Sequence, residues 1–249
     1  MFSYFQAIIF GLIQGITELF PISSLGHSVV LPRLLGWHIA QDDPFFLTFL
    51  VATHTATAFV LFLFFLKDWK RILLGLFRSL KVREIKETDL DAKLGWLLVV
   101  GTIPAGILGL FLEEPLKTLF ASPQLVAGIL ILNGLLLFGA EQLRKKNILA
   151  HQTDTGSDGR IAKLTFVQAV KVGLLQCIAL IPGFSRTGAT ITGSLLVGLT
   201  HEDAARFSFL LATPIIAAAS LLKLPELLTT SESHFIGQIL VGAFTAGIG

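Results

Sequence analysis

The stretch Gln14-Gly-Ile-Thr-Glu18-Leu-Phe-Pro21-Ile-Ser23-Ser24-Leu-Gly26-His27 places a carboxylate, an amide, hydroxyls and an imidazole inside sequence apolar enough to lie in a bilayer. Ionisable groups at membrane depth are costly, so a chain that carries them there must bury them against protein or around a wet cavity. Gln14 and Glu18 are four residues apart and share one face of a helix. Pro21 cannot continue that helix. Ser23 to Gly26 then reads as a loop, and a fresh apolar run follows His27.

A second stretch of the same kind lies far downstream: Gln176-Cys-Ile-Ala-Leu-Ile-Pro182-Gly183-Phe-Ser185-Arg186-Thr187-Gly188-Ala-Thr190. The two are related. At an offset of 162, Gln6, Ala7, Gly11, Leu12, Gln14, Ile16, Ser23 and Gly26 match Gln168, Ala169, Gly173, Leu174, Gln176, Ile178, Ser185 and Gly188. At an offset of 160, Phe49-Leu50 and Ala52-Thr53 match Phe209-Leu210 and Ala212-Thr213. Polar-bearing blocks that match in the same order at nearly one offset point to an internal repeat.

Between these blocks the chain is that of a polytopic membrane protein: 53% hydrophobic, 14% charged, mean hydropathy +0.76. A soluble domain carries about a quarter charged residues. The N-terminus has no basic region followed by an A-x-A-like site, so it does not read as a cleaved signal peptide. The single cysteine, Cys177, excludes an intramolecular disulfide and cysteine metal clusters.

Residues 5–36 read as helix, loop, helix, a re-entrant hairpin broken at Pro21. Residues 45–66, 94–112, 124–143 and 203–223 read as spans, with Pro104 a kink in the second. Eight Lys or Arg fall in 67–93, five in 144–163 and one, Lys117, in 113–123. Basic loops are cytoplasmic, so 113–123 is expected outside. The first hairpin then enters from the outer face and the second, about 164–200, from the inner face. The expected fold is all-α: an inverted repeat in which each half holds a re-entrant helix-loop-helix plus transmembrane helices. Repeat 1 covers about 1–143, a cytoplasmic loop 144–163, and repeat 2 about 164–249. Residues 236–249 are too few to span, and the second repeat is expected to be incomplete.

Glu18 has no Lys or Arg near it in sequence and reads as functional. Gln14 serves either the site or an interhelical hydrogen bond. Ser23 reads as a helix cap, while capping and chemistry are both open to Ser24. His27, near Glu18 and Ser24, is a candidate acid/base. His54 lies within a span and reads as a satisfied core histidine, with lining the cavity as the alternative, and His201-Glu202-Asp203 reads as a solvated helix start. Arg186, beside Pro-Gly and a new helix N-terminus, suits an anionic oxygen cluster, or an ion pair with Glu18. Such a set suits phosphoryl chemistry, which needs positioning and charge neutralisation above all.

The pattern Gln14-x-x-x-Glu18 with Pro21-x-Ser23-Ser24-x-Gly26-His27, together with Pro182-Gly183-Phe-Ser185-Arg186-Thr187-Gly188-Ala-Thr190, resembles the undecaprenyl-diphosphate phosphatases of the bacitracin-resistance type. The resemblance covers essentially the whole chain. It implies a multi-pass enzyme of the bacterial cytoplasmic (inner) membrane that removes the terminal phosphate of undecaprenyl diphosphate, with its active site open to the outer, periplasmic face. It implies catalytic roles for Glu18, Ser24, His27 and Arg186, and substrate contacts from Ser23, Gly183, Ser185, Thr187 and Thr190. It also implies a divalent cation, Mg2+ or Ca2+, on Glu18 and Gln14; many members have Glu at the position of Gln14. The expected partners are the lipid diphosphate, membrane lipid and a second copy of the chain in a homodimer, with no nucleic acid. The alternative is a polyprenyl-phosphate transporter or flippase, since inverted repeats with broken helices are also a transporter architecture.

Overall fold

The computed structural model describes residues 2–40, 43–120, 122–147, 156–229 and 236–249. Among them the secondary structure is helical, in the order α1 (Tyr4–Leu19), α2 (Ser24–Leu34), α3 (Pro44–Phe64), α4 (Leu66–Val82), α5 (Leu90–Phe120), α6 (Pro123–Asn147), α7 (Ser157–Ala162), α8 (Phe166–Gln176), a 3-10 turn (Cys177–Leu180), α9 (Arg186–Leu196), α10 (His201–Thr229) and α11 (Ile236–Ile248). The chain is an all-α multi-pass membrane protein. Four helices contain stretches long and apolar enough to cross a bilayer: Phe45–Phe64, Leu90–Leu112, Pro123–Gln142 and His201–Leu222. These contain the four expected spans to within a few residues. Pro104 stays inside α5.

The expected loops are more helical than the sequence reading allowed. The basic segment after residue 66 is α4, which buries Trp69, Ile72, Gly75 and Ser79 at helical spacing and exposes Leu73, Leu74, Phe77 and Leu80. Its apolar residues are too interleaved with Lys and Arg for a span, yet they form a face suited to an interfacial helix. α5 runs on through 113–120, and α6 runs on to Asn147. Within the expected loop 144–163, residues 148–155 lie outside the described residues, and 157–162 form α7.

The repeat is visible in local structure. α1 opens with a capping box between Ser3 and Gln6, and α8 with one between Thr165 and Gln168. Ser23 caps α2 by accepting from the Gly26 N–H, and Ser185 caps α9 by accepting from the Gly188 N–H. Both correspondences keep the offset of 162. The halves are intertwined, because α1 packs on α11 while α8 packs on α5. The contacts are made by glycines: a Cβ on Gly11 would strike the Gly242 carbonyl, and one on Gly173 the Gly101 carbonyl. Val100-Gly101-x-x-x-Ala105-Gly106-Ile107 and Val241-Gly242-x-x-x-Ala246-Gly247-Ile248 are the matching faces.

α3 and α10, the equivalent spans of the two halves, pack on each other. A hydrophobic core joins them to α4, α5, α8 and α9 through residues such as Leu61, Trp69, Leu97, Val172, Phe207 and Leu211. At the end of the molecule that holds the basic segments, ion pairs fasten α4, α7 and α10. Asp158 accepts from Arg71 at 2.8 Å and from Arg206 at 2.7 Å, and Arg160 Nε donates to Asp203 at 2.6 Å. The expected solvated start of α10 is therefore corrected: Asp203 is buried, and the α7 arginine takes the place of water. His201 fits that expectation better, being exposed and paired with Glu141 at 2.7 Å.

Candidate active site

Two helix breaks meet in the interior. α1 ends at Leu19, Pro21 blocks its continuation, and Ser23 turns the chain with φ 71° before α2 begins. Positive φ is strained for a residue with a Cβ. Ser23 is held there from both sides, because its hydroxyl accepts from Gly26 N and donates to the Phe184 carbonyl at 3.3 Å. The second break passes through Gly183 at φ +108°, where a Cβ would also lie 2.8 Å from Ile129 of α6. Only glycine meets both conditions. Ser185 then caps α9, whose first residue is Arg186.

The breaks are tied together. Thr187 Oγ1 donates to the Glu18 carbonyl at 2.8 Å, and Ser23 Oγ reaches the Phe184 carbonyl. Asn133 of α6 bridges them, donating from Nδ2 to the Pro21 carbonyl at 3.0 Å and accepting from the Ser185 N–H at 3.0 Å. Asn133 is ten residues into α6 and His54 ten residues into α3. At 1.5 Å per residue both stand about 15 Å from the start of a span, near mid-depth.

At the junction Arg186 forms an ion pair with Glu18 across 168 residues of sequence. The guanidinium also donates to the Ala212 carbonyl at 3.3 Å. A guanidinium has five N–H donors, so it keeps capacity for an incoming anion. Glu18 Oε2 accepts from Gln14 Nε2 at 2.8 Å and from the Ser24 hydroxyl at 2.9 Å. Gln14, Glu18 and Ser24 are all buried. Ser24 is the first residue of α2 and points its hydroxyl at Glu18 rather than at a helix N–H, while Ser23 caps as expected. The N-termini of α2 and α9 converge here, and their positive dipole ends favour a bound phosphate.

His54 is satisfied within its own helix and also borders the site. Its Nδ1 lies 2.7 Å from the Leu50 carbonyl, which can only accept, so Nδ1 carries the proton. Nε2 then faces the site, 3.4 Å from both Ser24 Oγ and Glu18 Oε2. The span face that carries His54 also carries Thr57, which accepts from Gln14. Asn133, a lone amide inside the next-but-one span, was passed over.

His27 turns its Nδ1 onto the Ser23 carbonyl at 2.7 Å and is half-buried. Thr190 donates to the Arg186 and Thr187 carbonyls and touches Ser208, and Ser185 caps α9, so both hydroxyls already have protein partners. Gly183 and Thr187 form the seat of the second break.

For a divalent cation, the cluster offers the Glu18 carboxylate and Gln14 Oε1. That oxygen is buried and has no hydrogen-bond partner among the described residues. An orphaned carbonyl oxygen beside a carboxylate fits a hard cation whose remaining ligands come from elsewhere. No cluster of three His, Cys, Asp or Glu suited to a metal occurs among the described residues.

A profile of the family described as "Bacitracin resistance protein BacA" matches residues 7–249. The chain is 45% identical over 262 residues to the Undecaprenyl-diphosphatase of Mycolicibacterium paratuberculosis, covering 98% of this chain and 85% of the relative. It is 43% identical over 246 residues to the Undecaprenyl-diphosphatase of Acidiphilium cryptum, covering 97% and 83%. It is 39% identical over 302 residues to Undecaprenyl-diphosphatase 2 of Frankia alni, covering 99% and 88%. With the match running through both broken helices and the Arg186–Glu18 junction, the chain belongs to the bacitracin resistance protein BacA family.

Proposed function

We propose that this chain hydrolyses undecaprenyl diphosphate to undecaprenyl phosphate and inorganic phosphate, regenerating a lipid carrier for peptidoglycan synthesis. The observation that carries the reading is the Arg186–Glu18–Ser24 cluster between two helix N-termini, with Glu18 and Ser24 buried and Arg186 half-buried. A diphosphate and Glu18 compete for one guanidinium. Arg186 takes the phosphate oxygens and neutralises charge that grows in the transition state. Glu18, released from its partner, holds the Ser24 proton, and Ser24 presents its hydroxyl to the terminal phosphate. His54 Nε2 stands within proton-transfer reach of the Ser24 hydroxyl. His27, with its Nδ1 proton on the Ser23 carbonyl, keeps the Nε2 lone pair to accept a proton from the attacking water.

Glu18 and Gln14 Oε1 would hold a divalent cation, Mg2+ or Ca2+, which neutralises diphosphate charge when bound. The polyprenyl chain lies along apolar grooves between spans. The two repeats have opposite orientation, in the bacterial cytoplasmic membrane, with the basic ends of α4 and α7 inside and the site open to the outer face. This orientation is supported by the bias of Lys and Arg between loops.

Phosphate release from undecaprenyl diphosphate in detergent, with and without chelator, tests the reading. Turnover that chelator abolishes and added Mg2+ or Ca2+ restores is expected. A chain that binds the lipid but releases no phosphate overturns hydrolysis, and full turnover in chelator overturns the cation.

A further inference from the structure

We infer that Asn133 is a positioning residue for the phosphatase reaction, setting the distance between the two halves of the site; this rests on the proposed hydrolysis. One buried amide spans both breaks: Nδ2 donates to the Pro21 carbonyl at 3.0 Å, and Oδ1 accepts from the Ser185 N–H at 3.0 Å. Each of those backbone groups adjoins a chemical one. Pro21 is three residues from Glu18 and Ser24, and Ser185 precedes Arg186. Neither backbone group belongs to a regular helix, and among the described residues no other hydrogen bond to either is seen. Proline at 21 ends α1, and Ser185 is the residue before α9.

The surroundings make the amide specific. Gly188, placed against both Asn133 Oδ1 and the Pro21 carbonyl, leaves the room: a Cβ there would lie 3.4 Å and 3.2 Å from those oxygens. Gly26 and Gly183 seat both breaks on Leu130 and Ile129, within one turn of Asn133. α6 thus acts as a template on which the carboxylate of one repeat and the guanidinium of the other are brought to register. An unpaired carbonyl or N–H at this depth has no water to turn to, so losing the amide lets the breaks move until each finds a partner. Misplacement of about 1 Å is enough to cost on the order of 10²-fold in rate.

Asparagine suits this task because it offers a donor and an acceptor on one short stem. Asn133→Asp keeps the acceptor for Ser185 and loses the donor to Pro21. Asn133→Leu keeps the volume and loses both. Turnover of undecaprenyl diphosphate is expected to fall by about 10-fold for Asp and about 10²-fold for Leu, in kcat with KM within about 2-fold. Asn133→Gln, with both groups on a longer stem, is expected to recover part of the loss.

Coupling separates positioning from general stability. In an Arg186→Lys background, Asn133→Leu should cost kcat less than about 3-fold, because the group it positions has already lost its fork, while the melting-temperature changes of the two substitutions add. Equal kcat losses in both backgrounds overturn the inference and make Asn133 structural only. An activity-independent measurement uses spin labels at Ile22 and Phe184 in Cys177→Ser protein. The distance between the labels should broaden or shift in Asn133→Leu, and an unchanged distribution overturns the clasp. If protein with the native Asn133 releases no phosphate, the hydrolysis reading has failed, and the label distance alone decides whether Asn133 holds the breaks.

Discussion

Buried Glu18 and half-buried Arg186 share one junction, and each answers for the other's charge. Glu18→Gln keeps the shape but leaves a guanidinium without its counter-charge, so it should lower both turnover and melting temperature. Arg186→Lys is the cleaner test. It keeps the charge and the pairing while losing the planar fork that fits phosphate oxygens. Its kcat should fall by roughly 10²-fold, the scale of one lost preorganised donor, with melting temperature close to that of the parent protein. A loss under about 3-fold in a phosphate-release assay would remove Arg186 from the transition state. Both residues were legible in sequence because an isolated charge in apolar sequence needs a partner at depth. His54 was not, since one imidazole in a span is compatible with packing as well as chemistry. Only the fold shows that its face is the one Gln14 and Ser24 occupy.

Among the elements, the spans were legible from length and apolarity, and the breaks from Pro21 and Pro182-Gly183. α4 was hidden because Lys70, Arg71, Arg78 and Lys81 interrupt its apolar residues, and the amphipathic period shows only once Trp69, Ile72, Gly75 and Ser79 are seen to share a face. The α8–α5 and α1–α11 contacts were hidden for another reason: glycine carries no hydrophobic signal, and only close approach reveals its use. Gly173→Ala should test that approach. The added methyl group meets backbone rather than a flexible side chain, so overpacking should destabilise by about 1–3 kcal/mol, read as a lower melting temperature. Gly128→Ala, with open space around it, is the control. The α4–α7–α10 fastening has its own signature. Burial pushes the Asp158 carboxyl up, but hydrogen bonds from Arg206 and Arg71 outweigh it and hold its pKa below the ordinary value. A carboxyl depressed in the folded state contributes stability above its unfolded pKa, about 3.9, and loses it as pH falls through the folded value. Melting temperature in detergent should therefore fall below about pH 4, and less steeply in Asp158→Asn.

Taken whole, the molecule sets its site by depth and by side. Asn133 and His54 place the junction about 15 Å from the starts of α6 and α3, near mid-depth. α5 separates the basic segment around Lys86 from Ser122, and its apolar portion, Leu90–Leu112, is long enough to cross once. A single crossing would put the two ends of α5 in opposite compartments. Phosphate charge on the substrate could reach mid-depth from only the side on which the breaks open. In the proposed orientation, which rests on the bias of Lys and Arg, Lys86 lies inside and the beginnings of α3 and α6 lie outside. In Cys177→Ser protein, cysteine at position 86 should react only with a membrane-permeant maleimide, and cysteine at position 122 with an impermeant one added to intact cells or spheroplasts. Impermeant reagent should also reach a cysteine at Ser24, and diphosphate should slow it there. Labelling at 86 but not at 122 would invert the topology. Labelling at 122 with Ser24 shielded until the inner side is opened would keep the topology and move the mouth of the site to the cytoplasmic face, and the lipid diphosphate would then have to be hydrolysed before its headgroup crosses the membrane.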